Sequence, residues 1–288
     1  MPVEHLEAAE RAHIISEALP FIRSLSGQTL VIKYGGAAQT SPDLQAAVMG
    51  DIALLNYVGI RPVVVHGGGP EVSNMSRQLG IEPKFIDGMR VTDPETMRVT
   101  EMVLGQIGKN IAAYLCDKGA PAVGLSGKDG GLLRAEKFQG EHDWGLVGEI
   151  ESVDRAVIET LQKGGFVPVI TPVALGKNGE TFNVNADLAA SAIAQAVNAS
   201  KLLLLTDVAG VYRDFSDKSS LIDQITRDQA KELIASGAVS TGMIPKIACC
   251  MEAVANGVQR AHIVDGRAPH SLLIELFSDA GCGTMIVP

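Results

Sequence analysis

Two glycine-rich segments, KYGG at 33–36 and HGGGP at 66–70, carry the residues best suited to chemistry. Each follows a β-type run, at 29–33 or 61–66, and each precedes a segment with helical spacing. A helix that begins at such a junction has unpaired backbone N–H groups, which attract anions together with the helix dipole. Lys33 adds a fixed positive charge at the first junction. The pattern therefore predicts a phosphate site and phosphoryl transfer.

The placement of two lysines strengthens this interpretation. A glycine pair after a strand is more often an ordinary turn, but Lys33 ends an apolar strand, where burial is costly without an anionic partner. A second lysine, Lys246, follows Pro245 at the start of another helical pattern. A cation near a helix N-terminus is electrostatically unfavourable, and a ligand anion would resolve that conflict. A solvated lysine explains the local pattern at Lys246 equally well.

Other polar residues are candidates for binding a substrate. The segment FNVNAD at 182–187 leads into an alanine-rich helix. Asn185 suits a helix N-cap, whereas capping explains Asn183 and Asp187 less well. A lone arginine is usually a surface residue, but Arg90 beside a phosphate site could hold a carboxylate through two hydrogen bonds. The histidines lack metal-ligand spacing, so we expect no metal ligands from the protein.

Composition excludes several classes of protein. The chain has 288 residues, of which 46% are hydrophobic and only 4% aromatic, so we expect a large aliphatic core. A net charge of −9 argues against a nucleic-acid surface, and no apolar run is long enough for a membrane span. The four cysteines form no CxxC pair and indicate reduced thiols in a reducing compartment. We expect a cytoplasmic protein, or a plastid one if its source is a plant or alga.

Apolar runs alternate with helical patterns, which predicts an α/β fold: a three-layer α/β/α sandwich with a mainly parallel central sheet, plus an N-terminal helix. The expected strands are 29–34, 61–66, 121–125, 166–171, 201–206 and 260–264, with an edge strand at 283–287 and a hairpin within 132–150. The expected helices are 4–25, 42–58, 70–79, 94–118, 153–163, 186–198, 227–236, 243–257 and 269–277. We divide the chain into an arm at 1–26, a substrate lobe with the dimer interface at 27–199, and a nucleotide lobe at 200–288.

The familiar nucleotide-binding signatures are absent. No G-x-x-x-x-G-K-[ST] or strict G-x-G-x-x-G occurs, which argues against a P-loop enzyme and against an NAD-dependent oxidoreductase. Nine short motifs instead resemble, in their order, the amino acid kinase family: KYGG, VVVHGGGPE, GMRVTD, GLSGKDGG, NVNAD, LLLTDVAGVY, GMIPK, HIVDGR and GTMIV. The resemblance implies ATP-dependent phosphorylation, with Mg²⁺, of the side-chain carboxylate of N-acetyl-L-glutamate in arginine biosynthesis.

The resemblance also implies roles for single residues. Lys33 and Lys246 would stabilise the transition state, and Asp187 would orient them. The substrate would be bound by Gly68, Gly69, Arg90 and Asn183. The nucleotide would be bound by Gly35, Gly36, Thr206, Asp207, Gly210 and Lys246. Kinases of acetylated aminoadipate or of glutamate are the nearest rivals, because one methylene discriminates by only about 1–3 kcal/mol.

Regulation is a further implication. The N-terminal helix and the positions His270, Glu275 and Gly283 resemble arginine-inhibited members, which form hexamers as trimers of dimers. L-Arginine is thus an expected inhibitor, and a non-catalytic arginine sensor is disfavoured because both lysines are present. The KYGGAA form resembles members bound by the PII signalling protein, although Gln39 and Thr241 depart from their pattern.

Overall fold

The computed structural model describes residues 7–39, 41–86 and 88–288. Its helices are α1 Ala8–Leu25, α2 Pro42–Tyr57, α3 Gly69–Gln78, α4 Pro94–Asp117, α5 Ala156–Lys163, α6 Ala186–Ala196, α7 Arg227–Ala235, α8 Ile244–Ala255 and α9 Ser271–Phe277. Its strands are β1 Thr29–Tyr34, β2 Arg61–His66, β3 Phe85–Ile86, β4 Met89–Arg90, β5 Ala122–Ser126, β6 Leu133–Lys137, β7 Gly148–Val153, β8 Val167–Thr171, β9 Val173–Leu175, β10 Thr181–Asn183, β11 Lys201–Thr206, β12 Gln224–Thr226, β13 Arg260–Asp265 and β14 Thr284–Val287. No helix among these residues combines the length and apolar content needed to cross a bilayer.

Eight strands form the central sheet, in the order β12-β14-β13-β11-β1-β2-β8-β5. Every pair is parallel except β13 with β14. Parallel strands without intervening hairpins need crossovers, and the helices that supply them cover both faces. The mainly parallel sheet expected from the sequence is therefore confirmed.

Strand β1 shows how the sheet separates two cores. Val31 packs with residues of α6, α7 and α8 on one face, whereas Leu30 and Ile32 pack with residues of α2, α4 and α9 on the other. Successive strand residues point to opposite faces, so an unbroken apolar run such as TLVI is what a doubly covered strand requires. The helices on both sides give the three-layer α/β/α sandwich.

Two smaller sheets lie outside the central one. Strands β10, β9, β6 and β7 form a four-stranded sheet, and β6–β7 is the antiparallel hairpin expected within 132–150. Strands β3 and β4 form a separate short hairpin. The sequence analysis missed β3, β4, β9, β10 and β12, because two or three residues are too few for a periodic signal.

The expectation of an edge strand at 283–287 is wrong. Strand β14 pairs with β13 on one side and with β12 on the other, so β12 is the edge. The three-residue strand β12, which precedes β14 in the sequence by about sixty residues, covers the side of β14 that faces away from β13. The expected start of the first helix is also only partly described, because residues 4–6 lie outside the described residues.

The central sheet runs across the boundary proposed near 199–200. Strand β1 of the substrate lobe pairs directly with β11 of the nucleotide lobe, from Leu30 opposite Lys201 to Lys33 opposite Leu204. The division into lobes stays a prediction. The pairing places both glycine junctions and the end of β11 at the carboxyl ends of neighbouring strands, where open α/β sheets bind ligands.

Candidate active site

The two glycine junctions lie side by side. Tyr34 and His66 are paired at the ends of β1 and β2, and Gly67 N–H donates to Tyr34 O at 2.8 Å. A Cβ atom on Gly35 would lie 3.4 Å from Gly67 N and 3.4 Å from Lys33 Nζ. A larger residue at 35 would thus crowd both the second junction and the lysine.

Lys33, Lys246 and Asp187 form one ionic cluster. The Lys33 Nζ lies 2.9 Å from Asp187 Oδ1, and the Lys246 Nζ lies 2.8 Å from Asp187 Oδ2. The three side chains are only 12–20% exposed. Burial opposes the charge of Asp187, but the two lysines outweigh it and lower the pKa of the carboxyl group. Two cations around one carboxylate leave one positive charge in excess, which a ligand anion can balance.

Helix ends position this cluster. Asp187 lies in the first turn of α6, where a carboxylate interacts favourably with the helix dipole, and Asn185 Oδ1 caps the same turn. The N-cap interpretation of Asn185 is therefore confirmed. Lys246 lies in the first turn of α8, where the dipole disfavours a cation, and its contact with Asp187 offsets that conflict.

A cavity of about 250 Å³ opens beside the second glycine junction. Its walls come from the glycine junction, the β3–β4 hairpin, α4 and the segment before α6, and they include Gly68, Gly69, Phe85, Arg90, Thr100 and Asn183. The structure thus brings together the four residues predicted to bind the substrate. Their individual roles stay predictions.

Arg90 is the charged group of this cavity. Its Nη2 donates to Gly69 O and to Ser73 Oγ, each at 2.8 Å, and Phe85 stacks on the guanidinium at 4.8 Å. Its Nη1 is buried and has no hydrogen-bond partner among the described residues. Burial lowers the pKa of Arg90. An unpaired buried guanidinium nitrogen is costly, and a substrate carboxylate would satisfy it.

Two hairpins hold the outer wall of the cavity. Trp144, in the β6–β7 hairpin, donates from Nε1 to Ile86 O at 3.3 Å, and its carbonyl accepts from Thr92 N at 2.9 Å. Asn183 Nδ2 donates to Thr92 Oγ1 at 3.1 Å. The hairpin excursion thus braces the strand that carries Arg90.

The residues predicted to bind the nucleotide follow the carboxyl ends of the strands, but they lie in separate segments of the chain. Thr206 ends β11 beside Asp265, and its hydroxyl donates to Asp207 at 3.2 Å. Gly36 has φ +62°, which favours glycine. Gly210 packs so closely on Thr284 that a Cβ atom would collide with the hydroxyl oxygen. A nucleotide role for each of these residues stays a prediction.

The three residues proposed for arginine binding have different hydrogen-bond partners, and their role stays a prediction. Glu275 Oε2 accepts from Gly283 N at 2.9 Å, and its Oε1 contacts His262 Nδ1 at 2.6 Å. His270 instead contacts Asp51 Oδ1 of α2 at 2.6 Å. His270 is the residue directly before the first turn of α9, and its backbone is in the left-handed region.

A polar cavity of about 260 Å³ lies between α1 and the amino ends of β11 and β13. Phe21 and Ser24 of α1 line one side, and Lys201 and Arg260 line the other. Lys201 Nζ lies 3.1 Å from His262 Nε2, which links the cavity to Glu275. Burial and Arg260 lower the pKa of Lys201 to about 8, against the opposite effect of Glu275.

Sequence reasoning missed four residues that line these two cavities or contact their lining. Ser73 and Phe85 gave no local signal, because a serine in a helix and a phenylalanine in a two-residue strand are unremarkable. His262 sits inside an apolar strand and looks like a core histidine. Lys201 did carry a signal, since it opens the strand KLLLLT as Lys33 closes TLVIK.

Comparison with known proteins places the chain among kinases. A model of the amino acid kinase family matches residues 28–265. Acetylglutamate kinase from Symbiobacterium thermophilum is 53% identical, over 98% of this chain and 99% of the relative. N-Acetylglutamate synthase from Neisseria gonorrhoeae, solved with coenzyme A and N-acetyl-glutamate, has a TM-score of 0.85 at 29% identity, over 96% of this chain and 63% of that one. The same synthase solved with coenzyme A and L-arginine has a TM-score of 0.80 at 26% identity, over 96% and 65%. The chain belongs to the amino acid kinase family.

Proposed function

We propose that the protein uses ATP to phosphorylate the side-chain carboxylate of N-acetyl-L-glutamate, giving N-acetyl-L-glutamyl 5-phosphate for arginine biosynthesis. The observation that carries the proposal is the buried cluster of Lys33, Asp187 and Lys246 next to a cavity with an unpaired Arg90 nitrogen. One site suits a phosphoryl group and the other suits a carboxylate. The name of the relative at 53% identity supports the same substrate.

The chemistry needs no covalent intermediate. A carboxylate oxygen of the substrate attacks the γ-phosphorus of ATP, a new O–P bond forms, and the bond to the ADP oxygen breaks. Lys33 and Lys246 lie where they can neutralise charge on the transferring group, and Asp187 fixes their positions. Arg90 holds the α-carboxylate, and Asn183 faces the acetamido end. Catalysis is positioning and charge stabilisation.

Mg²⁺ enters as the ATP complex. Among the described residues no group of three or more His, Cys, Asp or Glu side chains could hold a metal ion, and Asp187 is already engaged by two lysines. Mg²⁺ in such enzymes is commonly held by substrate phosphates and water with few protein ligands.

Feedback inhibition by L-arginine is part of the proposal, as is assembly into hexamers through α1. The cavity beneath α1 offers Lys201 and Arg260 to a carboxylate. Ile14, Ile15 and Leu19 of α1 are 52–71% exposed, so this helix has an apolar side available to a second copy. Arginine in the cavity would bias the position of the helix.

The experiment is a coupled assay with acyl-phosphate trapping by hydroxylamine. Purified protein receives Mg²⁺, ATP and one of three acids: N-acetylglutamate, N-acetylaminoadipate or glutamate. We expect N-acetylglutamate to be preferred over its longer homologue by roughly 10–200-fold in kcat/KM, the range for one methylene. A higher kcat/KM with either other acid would overturn the substrate assignment.

A further inference from the structure

His66 is a buried histidine with a partner at each ring nitrogen. It is 0% exposed, its Nδ1 lies 2.8 Å from Gly67 O, and its Nε2 lies 2.8 Å from Thr171 Oγ1. Burial lowers the pKa of His66 to about 4, against the opposite effect of its bond to Gly67. The ring is therefore neutral at pH 7 and carries a single N–H.

The partners decide which nitrogen carries that proton. A backbone carbonyl can only accept, so the Nδ1 facing Gly67 O must be the N–H donor. Nε2 is then an acceptor, and the Thr171 hydroxyl donates to it at 2.8 Å rather than to the more distant Leu104 O at 3.4 Å. The Gly67 carbonyl thus selects the Nδ1–H tautomer of His66, and the Thr171 hydroxyl stabilises it by donating to Nε2.

The hydrogen bond from His66 Nδ1 to Gly67 O orients the peptide between Gly67 and Gly68. The Gly67–Gly68 peptide is planar and trans, so its N–H points away from the carbonyl that His66 holds. Gly68 is the N-cap and Gly69 the first residue of α3, and their N–H groups have no acceptor within the helix. Gly67, Gly68 and Gly69 all line the substrate cavity.

The surroundings of the pair are tightly packed. A Cβ atom on Gly108 of α4 would lie 2.8 Å from His66 Nε2 and 2.9 Å from Thr171 Oγ1. A Cβ atom on Gly68 would lie 2.5 Å from Ile107 Cδ1. The glycines let α4 approach the junction, so the His66 ring packs closely against this helix.

We propose that His66, held by Thr171 in its Nδ1–H tautomer, is a positioning residue that fixes the Gly67 carbonyl and thereby aims the Gly68 N–H at the reacting oxygen atoms of the substrate. The proposal rests on the proposed kinase function. Within HGGG, the histidine binds the Gly67 carbonyl, and the glycine N–H groups donate toward the substrate cavity.

The test uses substitutions that retain one nitrogen each. In His66→Asn the amide nitrogen replaces Nδ1 and can still donate to Gly67 O. In His66→Gln the polar group lies nearer the Nε2 position. We expect His66→Gln to lower kcat by about 10²-fold with the KM for N-acetylglutamate little changed, the scale for a lost oxyanion donor. His66→Asn should stay within about tenfold of wild type on the same scale.

Thr171 provides the matched pair. Thr171→Val removes the hydroxyl at constant shape and should lower kcat, whereas Thr171→Ser keeps the hydroxyl and should restore it. A merely structural role predicts instead that all four variants lose thermal stability while the kcat per folded molecule stays at the wild-type value. That result, or equal activity of His66→Gln and His66→Asn, would overturn the proposal.

A measurement without turnover separates this inference from the proposed function. Long-range ¹H–¹⁵N NMR of the full protein, with His66→Asn to assign the signal, reports the tautomer. We expect Nδ1–H in wild type and a mixture in Thr171→Val. An Nε2–H tautomer in wild type would overturn the positioning role whatever the activity, whereas wild-type protein that phosphorylates none of the three acids would overturn the proposed function.

Discussion

The ammonium nitrogen of Lys33 lies 2.9 Å from Asp187 Oδ1, and both side chains are mostly buried. Lys33 lies near the carboxyl end of β1, an interior strand of the central sheet, and Asp187 lies in the first turn of α6, more than a hundred residues away in the sequence. A buried carboxylate that holds a lysine in place creates a fixed positive site before any anion arrives. Such preorganisation is the main physical resource of a phosphoryl-transfer enzyme.

Removing either lysine of the cluster should impair turnover. Lys33→Ala or Lys246→Ala should lower kcat by roughly 10²–10³-fold, since each removes a preorganised charge. The remaining lysine still pairs with Asp187, so the circular dichroism spectrum should be unchanged. Lys177→Ala is the control, because Lys177 is 67% exposed and pairs with the surface glutamates Glu136 and Glu151. Near-wild-type turnover of either cluster variant would show that the lysines are not catalytic.

Arg90→Lys keeps the charge but loses the planar fork. Arg90 donates to Gly69 O and Ser73 Oγ from Nη2 and keeps Nη1 for the substrate, whereas a lysine has a single nitrogen for all three acceptors. We expect a raised KM for N-acetylglutamate and an unchanged KM for ATP in steady-state kinetics. Arg77→Lys, at an exposed position, serves as the control. A change confined to the ATP term would move Arg90 to the nucleotide side.

Deleting residues 1–25 should dissociate hexamers into dimers and weaken arginine inhibition, while activity without arginine persists. The reason is that an exposed apolar helix side needs a partner, and arginine acts only by binding two states unequally. Sedimentation velocity and inhibition curves measure the two effects. Because the deletion also removes buried Leu25, Ile15→Glu in the full chain is the cleaner companion. A deletion variant that remains hexameric would show that α1 packs only within its own subunit.

Arginine inhibition should weaken as pH rises through about 8, where Lys201 loses its proton. The sign follows from the binding of a carboxylate, which favours the charged form of Lys201 and is lost with that charge. Above the pKa, the inhibition constant should rise by up to about tenfold per pH unit. Lys201→Arg stays charged and should remove this part of the pH dependence. A variant with the same profile as wild type would assign the titration to arginine's own amino group.

Asp51→Asn should change how stability depends on pH. Burial raises the pKa of Asp51 from 3.8 to about 6, although its bond to His270 acts in the opposite direction. The folded state therefore binds the proton more tightly, so this group favours folding most below pH 4, and that contribution is lost as pH rises to about 6. The substitution removes the titrating group. In urea unfolding, the free energy of unfolding of the variant should therefore rise relative to that of wild type between about pH 4 and 7.

The pKa shift of Asp51 sets an upper limit on this change in stability. Two pKa units correspond to roughly 3 kcal/mol, which is an upper limit for the change in relative unfolding free energy. Asp43→Asn, on the exposed side of the same helix, is the control. An unchanged difference between Asp51→Asn and wild type across the pH range would mean that His270 keeps Asp51 ionised.

The sequence by itself determined the three-layer arrangement and most of the residues at the carboxyl ends of the strands, where the candidate active site lies. Unbroken apolar runs such as KLLLLT can be stable only between two helical layers, and the order of those runs with helices between them requires parallel crossovers. Glycine junctions at strand ends and a lysine in an apolar strand are local signals with local physical causes, so Lys33 could be identified without coordinates. Lys246 could be identified as a candidate, but the sequence could not distinguish a site lysine from a solvated one, because its partner Asp187 is distant in sequence.

Only the tertiary structure decided which residues meet. Ser73 holds Arg90, Thr171 holds His66, and Lys201 joins His262 through contacts between separate elements. Residue spacing encodes none of these pairings, because each depends on the register and packing of strands and helices. The same reason separated His270 from Glu275: they lie close in the sequence, but the side chain of His270 binds α2 and that of Glu275 binds the loop before β14. Periodicity fixes the face of an element, whereas a buried polar group is placed by the partner that satisfies it.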